Sequence, residues 1–425
     1  MKIGIIGAGF TGLSAAYYLL EKGHEVTIIE KESQAGGLAI GFKEKNWKWT
    51  LEKHYHHLFV SDNAIRNLAQ KVGHKIIFKR PKTSTYINNS IMQLDSPLSL
   101  LRFSHLSISD RIRTGLVLAY LRSTPFWKPL EKISAERFLR KFGGENSWKI
   151  LWKPLFLGKF GRYSDQIPAV WFWARIKKRS ASLGYPEGGF QSLSDSIAEY
   201  ILKKGGKFNF EASVKQIEKI ANQIIVTTEA GTKFEFDKVV CTLPTSFFTR
   251  VTKGLPPQYT KKLINLNGLG AINLVLSLNR KFLNDNSYWL NINQDGCPFL
   301  AVVEHTNFID KKNYNGDRLV YIGNYLDPQH KYFQITEEQL LAEYLPALKK
   351  INPAFKKNWI TQIWMTKANF AQPIIPLNYS KKIPPFKTPI NGLYLANIQQ
   401  VYPWDRGTNY AVELGQKIAG LILNT

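Results

Sequence analysis

"MKIGIIGAGFTGLSAAYYLLEKGHEVTIIEK" (residues 1–31) holds the order strand, glycine turn, helix, strand. KIGII (2–6) reads as a short buried strand, LSAAYYLLEKG (13–23) as a helix closed by Gly23, and EVTIIE (25–30) as a second strand. Gly7, Gly9 and Gly12 fall as GxGxxG where the first strand would become the helix. In a nucleotide-binding βαβ unit Gly7 permits a tight turn, Gly9 admits backbone close to a diphosphate, and Gly12 lets helix and strand pack. Phosphate contacts then fall on the whole turn, Gly7, Ala8, Gly9, Phe10, Thr11 and Gly12, where free amides and the helix dipole favour negative charge. Glu30 ends the second strand, where an acid binds a ribose hydroxyl pair and disfavours a 2′-phosphate. NADP is therefore not expected as the resident nucleotide.

The next stretch, EKESQAGG (30–37), sets a glycine pair, Gly36-Gly37, six residues after Glu30. Here the sequence resembles the flavin amine oxidase, protoporphyrinogen oxidase and phytoene desaturase superfamily. The resemblance implies FAD, with Lys31, Gly36, Gly37 and Leu38 along its phosphates. Leu38 stands where the family often has Arg, which removes one polar contact. GYPEGGFQSLSDSIAEYILKKGGKF (184–208) supplies a second glycine pair before an amphipathic helix, and residues 209–244 read as alternating strands. In relatives the position of Val214 lies in a loop whose backbone contacts adenine. The C-terminal NGLYLANIQQVYPWDRGTNYAVELGQKIAGLI (391–422) reads as a strand, a loop and a helix. Asn397 replaces the family's Asp and Ala396 its Gly; Asn397 keeps the ability to hydrogen-bond the ribityl chain or a phosphate. Free amides around Thr408 and Asn409 would stabilise negative charge on the flavin pyrimidine.

The implied fold is α/β: a Rossmann-like, GR2-type FAD-binding domain from residues 1–80, 184–250 and 385–425. An α+β substrate domain with a mixed sheet is interleaved from residues 81–183 and 251–384. AINLVLSLNR, PFLAVVEHTNF and RLVYIGNYL read as strands of that sheet, and TEEQLLAEYLPALKKI as a covering helix with Thr336 as its N-cap.

TLEKHYHHLF (50–59) packs three of the eight histidines into four positions. In an extended segment His54 and His56 share a face and His57 points opposite. Zinc would need further ligands that the neighbourhood lacks, so no metal is expected. Two readings stay open: satisfied structural imidazoles, or groups facing the flavin that position substrate or move a proton, for which His56 and His57 are the better placed. In relatives this segment passes the flavin ring. Many amine oxidases also place a lysine near flavin N5; LGAINLVLSL (269–278) has none, and Asn273 occupies that region. His56, His57 and Asn273 are thus the catalytic candidates. In EHTNF (304–308), His305 and Asn307 read equally as pocket-lining or structural.

The chain carries 57 Lys and Arg against 32 Asp and Glu, a formal charge of +25. Without a zinc module, an RNP motif or a helix-turn-helix pattern, nucleic acid ranks last among partners. Solvated surface, an anionic membrane and an anionic ligand remain. Residues 147–180 interleave aromatics with Lys and Arg, and 96–121 are strongly apolar. They read either as packing against the sheet or as a basic aromatic rim in peripheral contact with an anionic membrane. No apolar run reaches the length of a membrane span, and Cys241 and Cys297 offer no disulfide framework, so a cytoplasmic setting is expected. The expected activity is FAD-dependent hydride transfer from a small-molecule substrate C–H to flavin N5, the substrate conjugated or amphiphilic and the electron acceptor unassigned. The alternatives are a redox-neutral flavoenzyme resembling UDP-galactopyranose mutase and a non-catalytic binding protein resembling Rab GDP-dissociation inhibitors. The complete glycine set and Glu30 oppose the latter.

Overall fold

A computed structural model describes residues 1–424. Lys2–Ile6 is the central strand of a five-stranded parallel sheet, ordered Lys207–Asn209, Glu25–Ile29, Lys2–Ile6, Lys238–Cys241, Leu393–Leu395. Strand alternation decides what covers each face. Ile3 and Ile5 pack with helices Phe10–Leu20 and Thr408–Leu423. Ile6 joins a core beneath the three-stranded antiparallel sheet Val214–Ile220, Gln223–Thr228, Lys233–Phe236. A Cβ on Gly4 would lie 2.5 Å from the Phe236 ring, so glycine there lets the small sheet lie against the large one.

The first and last helices touch closely. Ser14 Oγ donates to Val412 O at 2.8 Å, and a Cβ on Gly415 would stand 2.4 Å from Thr11 O. Lys238, at the start of its strand, donates to Ile422 O near the end of the last helix. That contact holds the helix C-terminus at the amino edge of the strands. The helix therefore opens at the carboxyl edge, beside the glycine turn.

The second sheet has seven strands, ordered Ile360–Pro373, Gly268–Leu278, Arg318–Leu326, Ala301–Glu304, Ser287–Ile292, Lys82–Ile87, Ser90–Gln93. It is mixed: Ser287–Ile292 runs parallel to Lys82–Ile87, and the other neighbours are antiparallel. Ile272, Leu274 and Leu276 face helix Glu337–Ile351 through Leu340, Tyr344 and Leu348. Thr336 caps that helix, accepting from Gln339 N. The opposite face, with Asn273 and Tyr321, meets the segment 52–54.

Between Pro97 and Lys178 the chain is helical, around a core of Trp148, Phe156, Phe160, Trp171, Phe172 and Trp173. Most aromatics of 147–180 therefore point inward, with Trp152 and Tyr163 partly buried against them. In helix Ala169–Lys178 consecutive residues from Ala169 to Ala174 are buried, because neighbours surround it on every side. Most exposed large apolar side chains of this region lie in the preceding stretch: Leu98, Leu101, Ile108, Ile112, Leu116, Tyr120 and Phe126. No helix among the described residues is long and apolar enough to cross a membrane.

Candidate functional site

The glycine turn is built so that no side chain can enter it. Gly7 adopts φ +101°, and a Cβ on it would lie 2.5 Å from Thr242 Oγ1. On Gly12 a Cβ would fall 2.0 Å from Gly7 O, so helix Phe10–Leu20 can start only over glycine. Gly36 donates to Ala8 O at 3.0 Å, which draws the glycine pair onto the turn. Gly37, at φ +59°, lies so close to Gly9 that a Cβ on Gly37 would come within 2.9 Å of Gly9 Cα. Glu30 is buried; its carboxylate accepts from Ala8 N at 2.6 Å and Glu32 N at 3.0 Å. Ala212 donates to Glu30 O, which sets the loop before Val214 beside this acid.

This arrangement fits a dinucleotide. No side chain caps helix Phe10–Leu20 or helix Thr408–Leu423, so both offer first-turn amides to a ligand. Bare glycine backbone admits close approach, and Glu30 stands where a ribose would be held. Two more contacts tie the site together. Gln191 accepts from Gly41 N and donates to Ala35 O, pinning the loop after the glycine pair to helix Phe190–Lys203. Glu52, fully buried, accepts from Phe190 N at 2.7 Å and from Tyr185 OH at 2.9 Å, and so caps the same helix. Neither was apparent in the sequence, since both depend on segments some 140 residues apart.

Four of the candidate contacts have the following surroundings. Lys31 is exposed and pairs with Glu32 at 3.1 Å. Leu38 sits half-buried in a short turn, Gly37–Ala39. The Asn397 side chain is spent as a brace: its amide donates to Leu243 O at 2.9 Å and its carbonyl accepts from Gln399 N at 3.0 Å. It joins the ends of two strands. Asn409 turns its side-chain carbonyl to Ala64 N and Ile65 N, capping helix Asn63–Lys71. Its backbone, with that of Thr408, still opens the last helix.

The three histidines are enclosed by protein yet keep accessible surface, so they face an internal space. His54 meets Asn273 through its Nδ1, and Asn273 Nδ2 also approaches Lys53 O at 3.4 Å. His56 Nδ1 lies 2.6 Å from His54 O, and its ring packs on Phe190, itself against Phe10 of the first helix. His57 lies 3.4 Å from Tyr288 OH, among Phe59 and Trp289. Asn273 therefore joins His54, and His56 and His57 stand next to it along the chain. Burial lowers all three imidazoles, to about 3 for His54, about 4 for His56 and about 3 for His57. All are neutral at physiological pH. His305 donates to or accepts from Tyr314 OH at 2.8 Å and Asn307 donates to Ser287 O, so both serve the fold.

Beside the histidines lies a group of cations. Asp405 stands 3.8 Å from both Lys159 Nζ and Arg175 Nη1, and accepts from Trp171 Nε1 at 3.1 Å. Burial would raise the Asp405 carboxyl, but Lys159, Arg406 and Arg175 together hold it below its usual value. Arg406 donates to Gln372 and to Tyr325 OH and lies over the Tyr325 ring. Burial lowers Arg179 to about 10, helped by Arg175, and Lys159 to about 7.

The sequence profile for flavin containing amine oxidoreductases matches residues 10–422. The 1-hydroxycarotenoid 3,4-desaturase of Flavobacterium sp. (strain P99-3) is 25% identical over 280 residues, 56% of this chain and 56% of the desaturase. The chain spans about half the length of the first curated relatives it matches. Among solved structures, an oxidoreductase from Methanosarcina mazei is 20% identical with a TM-score of 0.77, all of both chains being covered. A reduced UDP-galactopyranose mutase is 18% identical with a TM-score of 0.77, covering 99% of this chain and 96% of that one. At these identities the structural likeness establishes the fold alone.

Proposed function

Because this chain belongs to the flavin containing amine oxidoreductase family, with FAD as its cofactor, we propose that it is an oxidoreductase that removes hydride from a substrate C–H. The observation that carries this proposal is the meeting of Gly9 and Gly37 under an uncapped helix, beside the buried Glu30 carboxylate. FAD, when bound, supplies the hydride acceptor. The chain's own residues do the rest. First-turn amides of Phe10–Leu20 would hold the diphosphate, and Glu30 would hold a ribose. The open end of Thr408–Leu423 would offer a positive dipole to the bound flavin. His56 and His57 face the substrate as neutral imidazoles, each able to accept a proton or a hydrogen bond. Asn273 is a positioning residue that fixes the His54 ring. Phe190 and Trp289, packed on His56 and His57, keep water out. The substrate is amphiphilic or conjugated, and the exposed apolar stripe at 98–126 brings the protein to an anionic bilayer.

One observation favours a second reading, a redox-neutral flavoenzyme resembling UDP-galactopyranose mutase: the cations around Asp405 suit an anionic nucleotide sugar. Turnover only after dithionite reduction, with no net electron transfer, would select it. The first test is the visible spectrum of the purified protein. Flavin bands, or their gain on adding FAD, are expected; a colourless protein that takes up no FAD would refute the cofactor reading.

A further inference from the structure

We propose that Lys159, Arg175, Arg179 and Arg406 form a site for a multiply charged oxyanion of the diphosphate class, carried by the substrate. The proposal rests on the neighbouring groove being the FAD site. Lys159, Arg175 and Arg406 converge there on one carboxylate, Asp405, which reaches two of them only at 3.8 Å, and Arg179 adds a fourth charge beside Arg175. The Arg179 guanidinium has no hydrogen-bond or ion-pair partner among the described residues; its carbonyl accepts from Arg122, and Asp95 attracts the side chain only at longer range. Buried charges are ordinarily paired, because taking a cation from water costs several kcal/mol. Three cations in excess of their acid are a standing cost unless something anionic sits among them. Burial and mutual repulsion already lower Lys159 and Arg179, as expected of cations held together without their counter-charge.

The surroundings narrow the ligand. Aromatic faces support the cations: Lys159 lies 5.3 Å from the Trp171 and Tyr325 rings, and Arg175 5.7 Å from Trp171. Guanidinium forks recognise phosphate oxygens in pairs, and an enclosed setting strengthens that attraction. A single carboxylate would neutralise one excess charge, whereas a diphosphate matches the remainder. A polyamine would be repelled, and a bare hydrocarbon would leave the cations unpaired. The site also adjoins the proposed chemistry. Arg406 directly precedes Gly407 and the last helix, and the charges of Arg175 and Arg179 are felt at His57. An anion seated here would anchor a substrate whose reacting carbon lies by the histidines.

Isothermal titration of the FAD-loaded protein with inorganic pyrophosphate tests this. Wild type should bind, and Arg179→Ala and Arg175→Ala should each weaken binding at least tenfold with FAD content unchanged. Should Arg175→Ala fold poorly, Arg179→Lys, expected to retain part of the affinity, and the rise in wild-type melting temperature with pyrophosphate over chloride of equal ionic strength decide the matter. Tighter binding of farnesyl diphosphate than of uridine diphosphate would identify a lipid-linked anion, and the reverse a soluble nucleotide. An FAD-loaded wild type indifferent to millimolar pyrophosphate, or variants that bind it as wild type does, would overturn the proposal while leaving the cofactor assignment intact. So would variants that shift only the flavin reduction potential, because the cations would then serve the cofactor. A protein without FAD would instead sink the reading on which this one rests.

Discussion

A buried imidazole stays neutral when nothing nearby favours its charge, and the segment 54–57 holds three such rings. None of the three should titrate between pH 5 and pH 8. Their ring proton resonances should stay fixed across that window, and movement of any of them would place an unseen acid beside it. His56→Ala and His57→Ala should leave the flavin-to-protein ratio unchanged while slowing flavin reduction by substrate about a hundredfold. Unchanged rates in both would assign the rings to structure. The neighbouring Glu52 titrates in the other direction. Burial raises it to about 7 from 4.5, although Phe190 N and Tyr185 OH hydrogen-bond the charged form. The folded chain thus keeps a proton that the unfolded chain releases between those values, so Glu52 costs stability as pH rises through the window, on the order of 3 kcal/mol in all. Glu52→Gln should flatten that part of the stability profile in chemical denaturation; an unaltered slope would show that Glu52 stays ionised. The sequence displayed the histidines and the acid but not their partners. Asn273 reaches His54 across 219 residues, and no local pattern encodes such a meeting.

Elements were legible where one periodicity or one turn determines them. The glycine turn, the strands KIGII and EVTII and the last helix could be read because burial on one face and glycine geometry act over a few residues. What escaped was the contact of one element's end with another. Asp62 precedes helix Asn63–Lys71 but spends its carboxylate on Phe59 N, so Asn409 from the last helix supplies the cap. The brace from Asn397 to Leu243 likewise exists only once two strand ends meet. Asn409→Ala should cost about 1 kcal/mol in chemical denaturation and speed amide exchange at Ala64 and Ile65. Protection equal to wild type would mean that water replaces the cap. The glycine pair makes a sharper test. Gly37→Val demands a strained φ and a side chain against Gly9, so FAD should be lost while far-ultraviolet circular dichroism keeps its helical signal. Retained FAD would show that the groove lies elsewhere.

Across the whole molecule, charge and apolar surface point to the same partner. Ile108, Ile112, Leu116 and Tyr120 recur every four residues on helix Ile108–Ser123, a spacing that lines one face of it. Ile108 is 70% exposed, Leu116 67% and Phe126, just past the helix, 73%, so this face is left largely uncovered by the described residues. Leu98 and Leu101 extend it from the preceding helix. Exposed Arg102, Arg113, Arg122 and Lys128 border the patch, and the chain as a whole carries +25. An apolar face rimmed by cations suits the boundary of an anionic bilayer, where side chains enter the acyl region and basic groups stay at the headgroups. Sequence composition marked both 96–121 and 147–180, and it is the fold that turns most rings of the second stretch inward. The full chain should therefore sediment with vesicles containing phosphatidylglycerol and less with neutral phosphatidylcholine vesicles. Ile112→Glu with Leu116→Glu should abolish that association, while flavin content and melting temperature stay near wild type because both positions face solvent. Raised salt should weaken the wild type through the basic border alone, so some binding should survive it. Binding lost entirely to salt yet indifferent to the two glutamates would reduce the patch to scattered surface charge.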